Sequence, residues 1–263
     1  MSIYEYQPVL IFCSILAFCF GTCMGSFLNC AAWRISHGES FISGRSHCPS
    51  CGHELGAIEL IPIVGWIMLK GRCRHCSEKI SVRYLITETG FGLITLLCLL
   101  RFDLTVLCLR NSILICILFL LTLTDIEEMI IPDGCHIAAL ITWVVTEPFL
   151  FDGWGNVITH ILAAVIYGGG LLAISLIMDR IMGRDSLGGG DIKLFGVTGL
   201  YLGIIGTLFV VVLACVMGLI FNQVGRGREE EAFPFGPWIA AAAAIMLLYG
   251  EPLVKWYLGL TGL

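Results

Sequence analysis

Two groups of residues in this chain carry side chains suited to chemistry. The first is a pair of cysteine doublets, Cys48 and Cys51 in "CPSC" and Cys73 and Cys76 in "CRHC". Two thiolates so spaced can grip one ion, and two such pairs complete a tetrahedron, which points to a four-cysteine zinc site. Four thiolates leave no open coordination position, so the zinc is expected to be structural rather than hydrolytic. His53 and His75 flank the doublets and are the alternative ligands. Two disulfides are the competing reading, disfavoured if the segment faces a reducing compartment. The rest of the 13 cysteines are mostly scattered through apolar runs, where cysteine acts as a small apolar residue.

The second group is a pair of carboxylates, Asp125 in "LTLTDIEEMIIPD" and Asp191 in "RDSLGGGDIKLFG". An ionisable residue at membrane depth costs about 2.5–3.5 kcal/mol on insertion scales, so each of these, set against an apolar run, points to function. Two carboxylates held close share one proton: the ionised member can activate a water while the protonated one polarises a peptide carbonyl, as in aspartic proteases. Gly188, Gly189 and Gly190 would let the chain turn tightly and a substrate backbone come close. Asp191 would open a helix, where free N–H groups and the dipole favour a carboxylate. Plain helix capping by Asp191 and a wet span end at Asp125 are the bland alternatives, and Asp133 after Pro132 reads as a turn or cap residue. No G-x-x-x-x-G-K-[ST] pattern occurs, and an aspartate at a helix start repels phosphate.

These residues must be positioned by a membrane bundle. The chain of 263 residues is 57% hydrophobic and 13% charged, against about 25% charged in an average soluble domain. Lipid must therefore cover much of its surface. The expected fold is an all-α polytopic membrane protein of about eight transmembrane helices, near 8–33, 84–101, 104–124, 136–151, 158–178, 192–203, 205–223 and 233–249. A small insert lies between the first two. The expected division is a first span over 1–33, a zinc insert over 34–83 and a transmembrane bundle over 84–263. The segment before the first span has no Lys or Arg, unlike a signal peptide, and reads as leading into a retained span. The insert holds Arg34, Arg45, Lys70, Arg72, Arg74, Lys79 and Arg83, which places it and both aspartates on the cytosolic side with the N terminus outside. An insert this small cannot bury enough apolar surface to fold alone, so metal binding would supply folding free energy. No basic patch with interleaved aromatics occurs, and no nucleic-acid partner is expected. A proton-coupled transporter is a rival class, but it would show internal repeats and midplane carboxylates, and neither is evident. A zinc-containing assembly protein without enzymatic activity is the other.

The order of motifs resembles that of the type IV prepilin peptidases. It runs from "GSFLN" at 25–29 through the two cysteine pairs, "GRCRHC" and "SVRY", to "D…PD" at 125–133, "GGGD" at 188–191 and "PFGP" at 234–237. The resemblance implies a bifunctional enzyme of the bacterial inner membrane. It would cleave the basic leader of prepilins and pseudopilins after a glycine and then methylate the new N terminus. It implies that Asp125 and Asp191 are the catalytic aspartates of a G-x-G-D intramembrane protease, that Cys48, Cys51, Cys73 and Cys76 bind zinc, and that the insert serves methyl transfer from S-adenosylmethionine. Gly71 and Glu88 match family positions associated with methylation or its surroundings. A turn glycine and a polar residue facing the bundle interior are their competing readings. Leu85 stands where members commonly have proline, and "GAIEL" replaces an aromatic and acidic stretch. No Rossmann-type pattern marks a donor site, and a protease without methyltransferase activity is the alternative. The substrate's apolar helix would pack among the spans, where Gly21, Gly25 and Gly90 could admit it. Glu127 and Glu128, with Glu229, Glu230 and Glu231, would attract its basic leader.

Overall fold

A computed structural model of the chain describes residues 3–40, 44–183, 187–224 and 234–261. The described residues are dominated by helices and contain no strands, only two isolated bridges. In chain order the helices are α1 (Gln7–Ser36), α2 (Val64–Met68), α3 (Val82–Phe102), α4 (Val106–Glu128), α5 (Asp133–Thr146), α6 (Trp154–Ala164), α7 (Gly170–Met182), α8 (Gly189–Val224) and α9 (Gly236–Thr261). Six helical runs are long and apolar enough to cross a membrane. The protein is therefore a multi-pass membrane protein.

Helices occupy all eight regions expected from the sequence, but two of those regions do not count as separate spans. Helix α5 has 14 residues, which at 1.5 Å each rise about 21 Å, short of about 30 Å of hydrocarbon. Helix α8 runs on from the segment expected at 192–203 into the one at 205–223, broken at Gly203, whose φ of 66° and ψ of −168° are open to glycine. Helices α6 and α7 join through a π-helical turn over Val165–Gly169 into one run of 29 residues.

The chain divides into two compact units, Met1–Ser112 and Ile113–Leu263. In the first, α1 packs closely on α3 because small residues face each other. A Cβ added at Gly21 would lie 2.7 Å from Thr95 Oγ1, and one at Gly25 would lie 3.0 Å from Phe91 Cβ. These two glycines are spent on the α1–α3 contact, so they are not free to admit a substrate helix, whereas Gly90 has open space around it. Asn29 ties the same pair of helices, donating to Thr87 Oγ1 at 2.6 Å.

In the second unit α6 packs on α8 at backbone distance. A Cβ at Gly199 would lie 2.6 Å from Ala164 N, so only glycine fits there. The break at Gly203 is chemically provided for. Tyr167 donates its hydroxyl to Ile204 O at 2.8 Å, and His160 Nδ1 lies 2.7 Å from Leu200 O. Carbonyls loosened by a kink in an apolar setting need such partners.

Candidate active site and metal centre

Asp125 lies in the last turn of α4, where its carbonyl accepts the Met129 N–H at 2.9 Å and Met129 turns the chain out of the helix with a φ of 54°. Its carboxylate is buried at 5% exposure. Asp191 lies in the first turn of α8, just after the triple glycine. A Cβ on Gly190, next to Asp191, would stand 2.8 Å from Ile131 Cβ, and one on Gly236, whose N–H holds Asp125, would stand 3.1 Å from Ile131 Cδ1, so one side chain adjoins the backbone beside both carboxylates. The second unit thus brings together the two carboxylates that the sequence singled out.

The surroundings of the pair assign work to particular glycines. Asp125 Oδ2 accepts the backbone N–H of Gly236 at 3.0 Å. A Cβ on Gly236 would stand 2.7 Å from that same oxygen, so this position at the start of α9 must lack a side chain. "PFGP" was noticed in the sequence as a motif, but the role of its glycine was not. Gly188 leaves room for Asp191, since a Cβ there would lie 3.1 Å from Oδ2. Gly190 leaves room for Ile131, 2.8 Å from its ideal Cβ, and only Gly189 faces open space. Two of the three glycines are thus used by the protein itself. Asp191 Oδ1 is buried with no hydrogen-bond partner. The backbone donor therefore falls on Asp125, not on the carboxylate at the helix start.

Helix α5 braces this loop. Lys193 Nζ lies 2.5 Å from Asp133 Oδ1, and His136 Nε2 lies 3.1 Å from Gly190 O. Asp133 caps nothing with its side chain and instead pairs with Lys193, whose hydrogen bond and charge hold its carboxyl below the usual range. His136 was missed because only the fold brings it to the glycine loop. Of the acidic residues expected to meet a leader, Glu128 is exposed and Glu127 half-buried, while Glu229, Glu230 and Glu231 lie outside the described residues.

In the first unit the cysteine doublets form two hairpins of one design. The bridges His47–Glu54 and Arg72–Lys79 close them, Cys48 N–H donates to His53 O at 2.9 Å, and Cys73 N–H donates to Glu78 O at 2.8 Å. Gly52 and Ser77, at matching positions, both take positive φ, 70° and 59°. The four Sγ atoms lie within 4.8 Å of one another, with Cys48–Cys76 at 3.8 Å and Cys51–Cys73 at 3.9 Å. A tetrahedron with metal–sulfur bonds of about 2.3 Å has edges of about 3.8 Å, so the thiols fit one thiophilic ion. Disulfide sulfurs would stand at about 2.05 Å. Backbone N–H groups of Cys51 and Ser50 push the Cys48 thiol down to about 6, while burial and the neighbouring sulfurs push Cys76 up to about 12, so without an ion the cluster concentrates its thiolate character on Cys48. His53 and His75 pack ring to ring at 3.6 Å, and the compact cluster consists of the cysteines.

Glu88 and Gly71 both border this insert. Glu88, at 6% exposure, accepts the N–H of Ile63 at 2.7 Å and so pins the start of α2. Gly71, with φ 66°, sits under the Trp66 indole, where a Cβ would meet Cζ2 at 2.6 Å.

Comparison with known proteins agrees with this arrangement. The family model described as "Bacterial Peptidase A24 N-terminal domain" matches residues 19–102, and that described as "Type IV leader peptidase family" matches residues 112–222. Among curated proteins named "Prepilin leader peptidase/N-methyltransferase", one from Bacillus subtilis (strain 168) is 30% identical, covering 92% of this chain and 97% of its own length. One from Aeromonas salmonicida (strain A449) is 29% identical over 92% and 93%. One from Burkholderia pseudomallei (strain K96243) is 32% identical over 79% and 68%. No solved structure matches the chain.

Proposed function

Because the chain belongs to the type IV leader peptidase family, we propose that it cleaves the leader of prepilins and pseudopilins with Asp125 and Asp191 and then methylates the new N terminus. The observation that carries this reading is the meeting of the two aspartates beside a glycine loop in an otherwise apolar unit.

Cleavage proceeds without an acyl-enzyme. One carboxylate takes a proton from a water as its oxygen attacks the scissile carbonyl, and the protonated partner donates to the developing oxyanion. Collapse breaks the C–N bond: the leaving amine takes the proton that the first carboxylate drew from water, and the proton on the former oxyanion returns to the second, so the pair regains its starting state. The scissile bond follows the glycine that ends a basic leader and precedes an apolar helix. Gly189 gives that backbone room, and Gly236 fixes the orientation of Asp125. Glu127 and Glu128, with Glu229, Glu230 and Glu231, draw the basic leader to the cytosolic edge of the inner membrane. The N terminus lies on the outer side.

Methyl transfer falls to the insert over 34–83 with the helices that flank it. The neutral amine of the cleaved substrate attacks the methyl of S-adenosylmethionine: an N–C bond forms, the S–C bond breaks, the thioether leaves and the surplus proton passes to water. Zinc on Cys48, Cys51, Cys73 and Cys76 fastens the insert and takes no part in either reaction.

The test is mass spectrometry of a prepilin-like substrate incubated with purified protein in lipid nanodiscs. Loss of the leader is expected with or without S-adenosylmethionine, and addition of one methyl only with it. Full-length substrate in every sample, with folded and zinc-loaded protein, would instead favour the non-enzymatic assembly protein.

A further inference from the structure

The first unit contains a cavity of about 240 Å³ beside the cysteine cluster, lined by aromatic side chains and by Glu59. Its lining includes Trp33 and Arg34 from α1, Trp66 from α2 and Tyr84 from α3. A second, more open cavity shares Ser26, Cys30, Arg34, Ser46 and Leu60 with the first, so the space continues along α1.

Glu59 is the informative residue. Its side chain is 7% exposed, yet only one of its oxygens is engaged: Oε2 accepts the Gly56 N–H at 2.7 Å, with His53 Nε2 at 3.7 Å. Oε1 is buried with no hydrogen-bond partner. A buried acceptor left unmade is costly unless a ligand supplies the donor. The other buried carboxylate of the lining, Glu88, already accepts the Ile63 N–H.

The aromatic walls are held in place. Trp66 donates its Nε1–H to Ile80 O at 3.3 Å, and its ring rests where Gly71 has no side chain. Trp33 stacks on His37 at 4.3 Å between ring centroids. Two carboxylates and the thiols of Cys48 and Cys73 in one lining would repel a phosphate. Rigid indole faces instead attract a cation or a flat ring. Arg34, buried at 7% exposure, donates to Ser40 O at 3.4 Å and is so held in the lining.

We propose that this cavity binds the methyl donor as an adenosyl sulfonium carrying an amino-acid tail, with Trp33 and Trp66 against its flat and cationic parts and Glu59 Oε1 accepting from its hydroxyl or ammonium groups. The proposal rests on the methyltransferase reading above and supplies the site that no sequence motif marks. It also gives Gly71 a physical role, since any side chain there would push Trp66 out of the wall.

The test is calorimetric binding of S-adenosylmethionine to the full chain in nanodiscs, comparing wild type with Glu59→Gln and Trp33→Leu. Ultraviolet cross-linking of the labelled donor, mapped by mass spectrometry, runs in parallel. Each substitution is expected to weaken binding about tenfold or more, with leader cleavage and zinc content unchanged as evidence that the protein is folded. Cross-links are expected on residues of the lining. Wild-type affinity in both variants, or cross-links confined to residues 113–263, overturns the cavity assignment and leaves the enzyme reading standing. A wild-type protein that cleaves prepilin yet binds no donor overturns both this proposal and the methyltransferase half of the function.

Discussion

Gly236 sets the place of the Asp125 carboxylate. Its N–H holds one oxygen of Asp125, and its missing side chain is the space that oxygen occupies. In Gly236→Ala a methyl group would force the carboxylate aside, and small misplacements of reacting groups cost about 100-fold in rate. Leader cleavage is therefore expected to fall by about that factor, while zinc content and methylation of an already cleaved substrate stay normal. Undiminished cleavage would show that Asp125 does not act from this position. Asp125 and Asp191 were legible in the sequence because carboxylates against apolar runs are expensive. Gly236, Ile131 and His136 were not, because each matters only through a contact between segments far apart in the chain. The glycines before Asp191 read as a tight turn with room for substrate, although Gly188 and Gly190 in fact make room for Asp191 and Ile131.

At the scale of elements, the four thiols that join the paired hairpins fit one metal ion, and a bound ion would hold the two hairpins together. Replacing Cys48 and Cys76 by serine is expected to abolish zinc binding and methylation while leaving cleavage within a few-fold of wild type, measured by elemental analysis and by the two product masses. Retained methylation in a zinc-free protein would remove the metal from the account. Helix α8 offers a second test. Gly203→Ala places a Cβ on a backbone conformation reserved for glycine, at a cost of about 1–3 kcal/mol, which a lower thermal midpoint in detergent would reveal. The cysteine spacing announced the insert, whereas the two spans expected at 192–203 and 205–223 are one helical run kinked at Gly203. The continuous run of α6 and α7 matches the single span expected at 158–178, but the π-helical turn inside it was hidden, and the segment at 136–151 falls short of a full span as α5.

For the whole molecule, the two compact units follow closely the two family matches, one on each side of residue 112. In the proposed function the two chemistries run in series, the amine made by cleavage being the nucleophile of methylation. The acidic edge should set how well a basic leader is captured: replacing the exposed Glu128 by glutamine is expected to raise KM at low salt with little change at high salt, because exposed charges are screened within about 10 Å at 0.1 M. An unchanged KM at both would reject that role. The claim on which everything else depends is that Asp125 and Asp191 together cut the leader. The most direct measurement is the mass of a prepilin-like substrate after incubation with wild type, Asp125→Asn and Asp191→Asn proteins, each shown to be folded, zinc-loaded and able to methylate a cleaved substrate. The account predicts a leaderless product from the wild type and full-length substrate from both variants. Cleavage by either variant at a rate near wild type would contradict it.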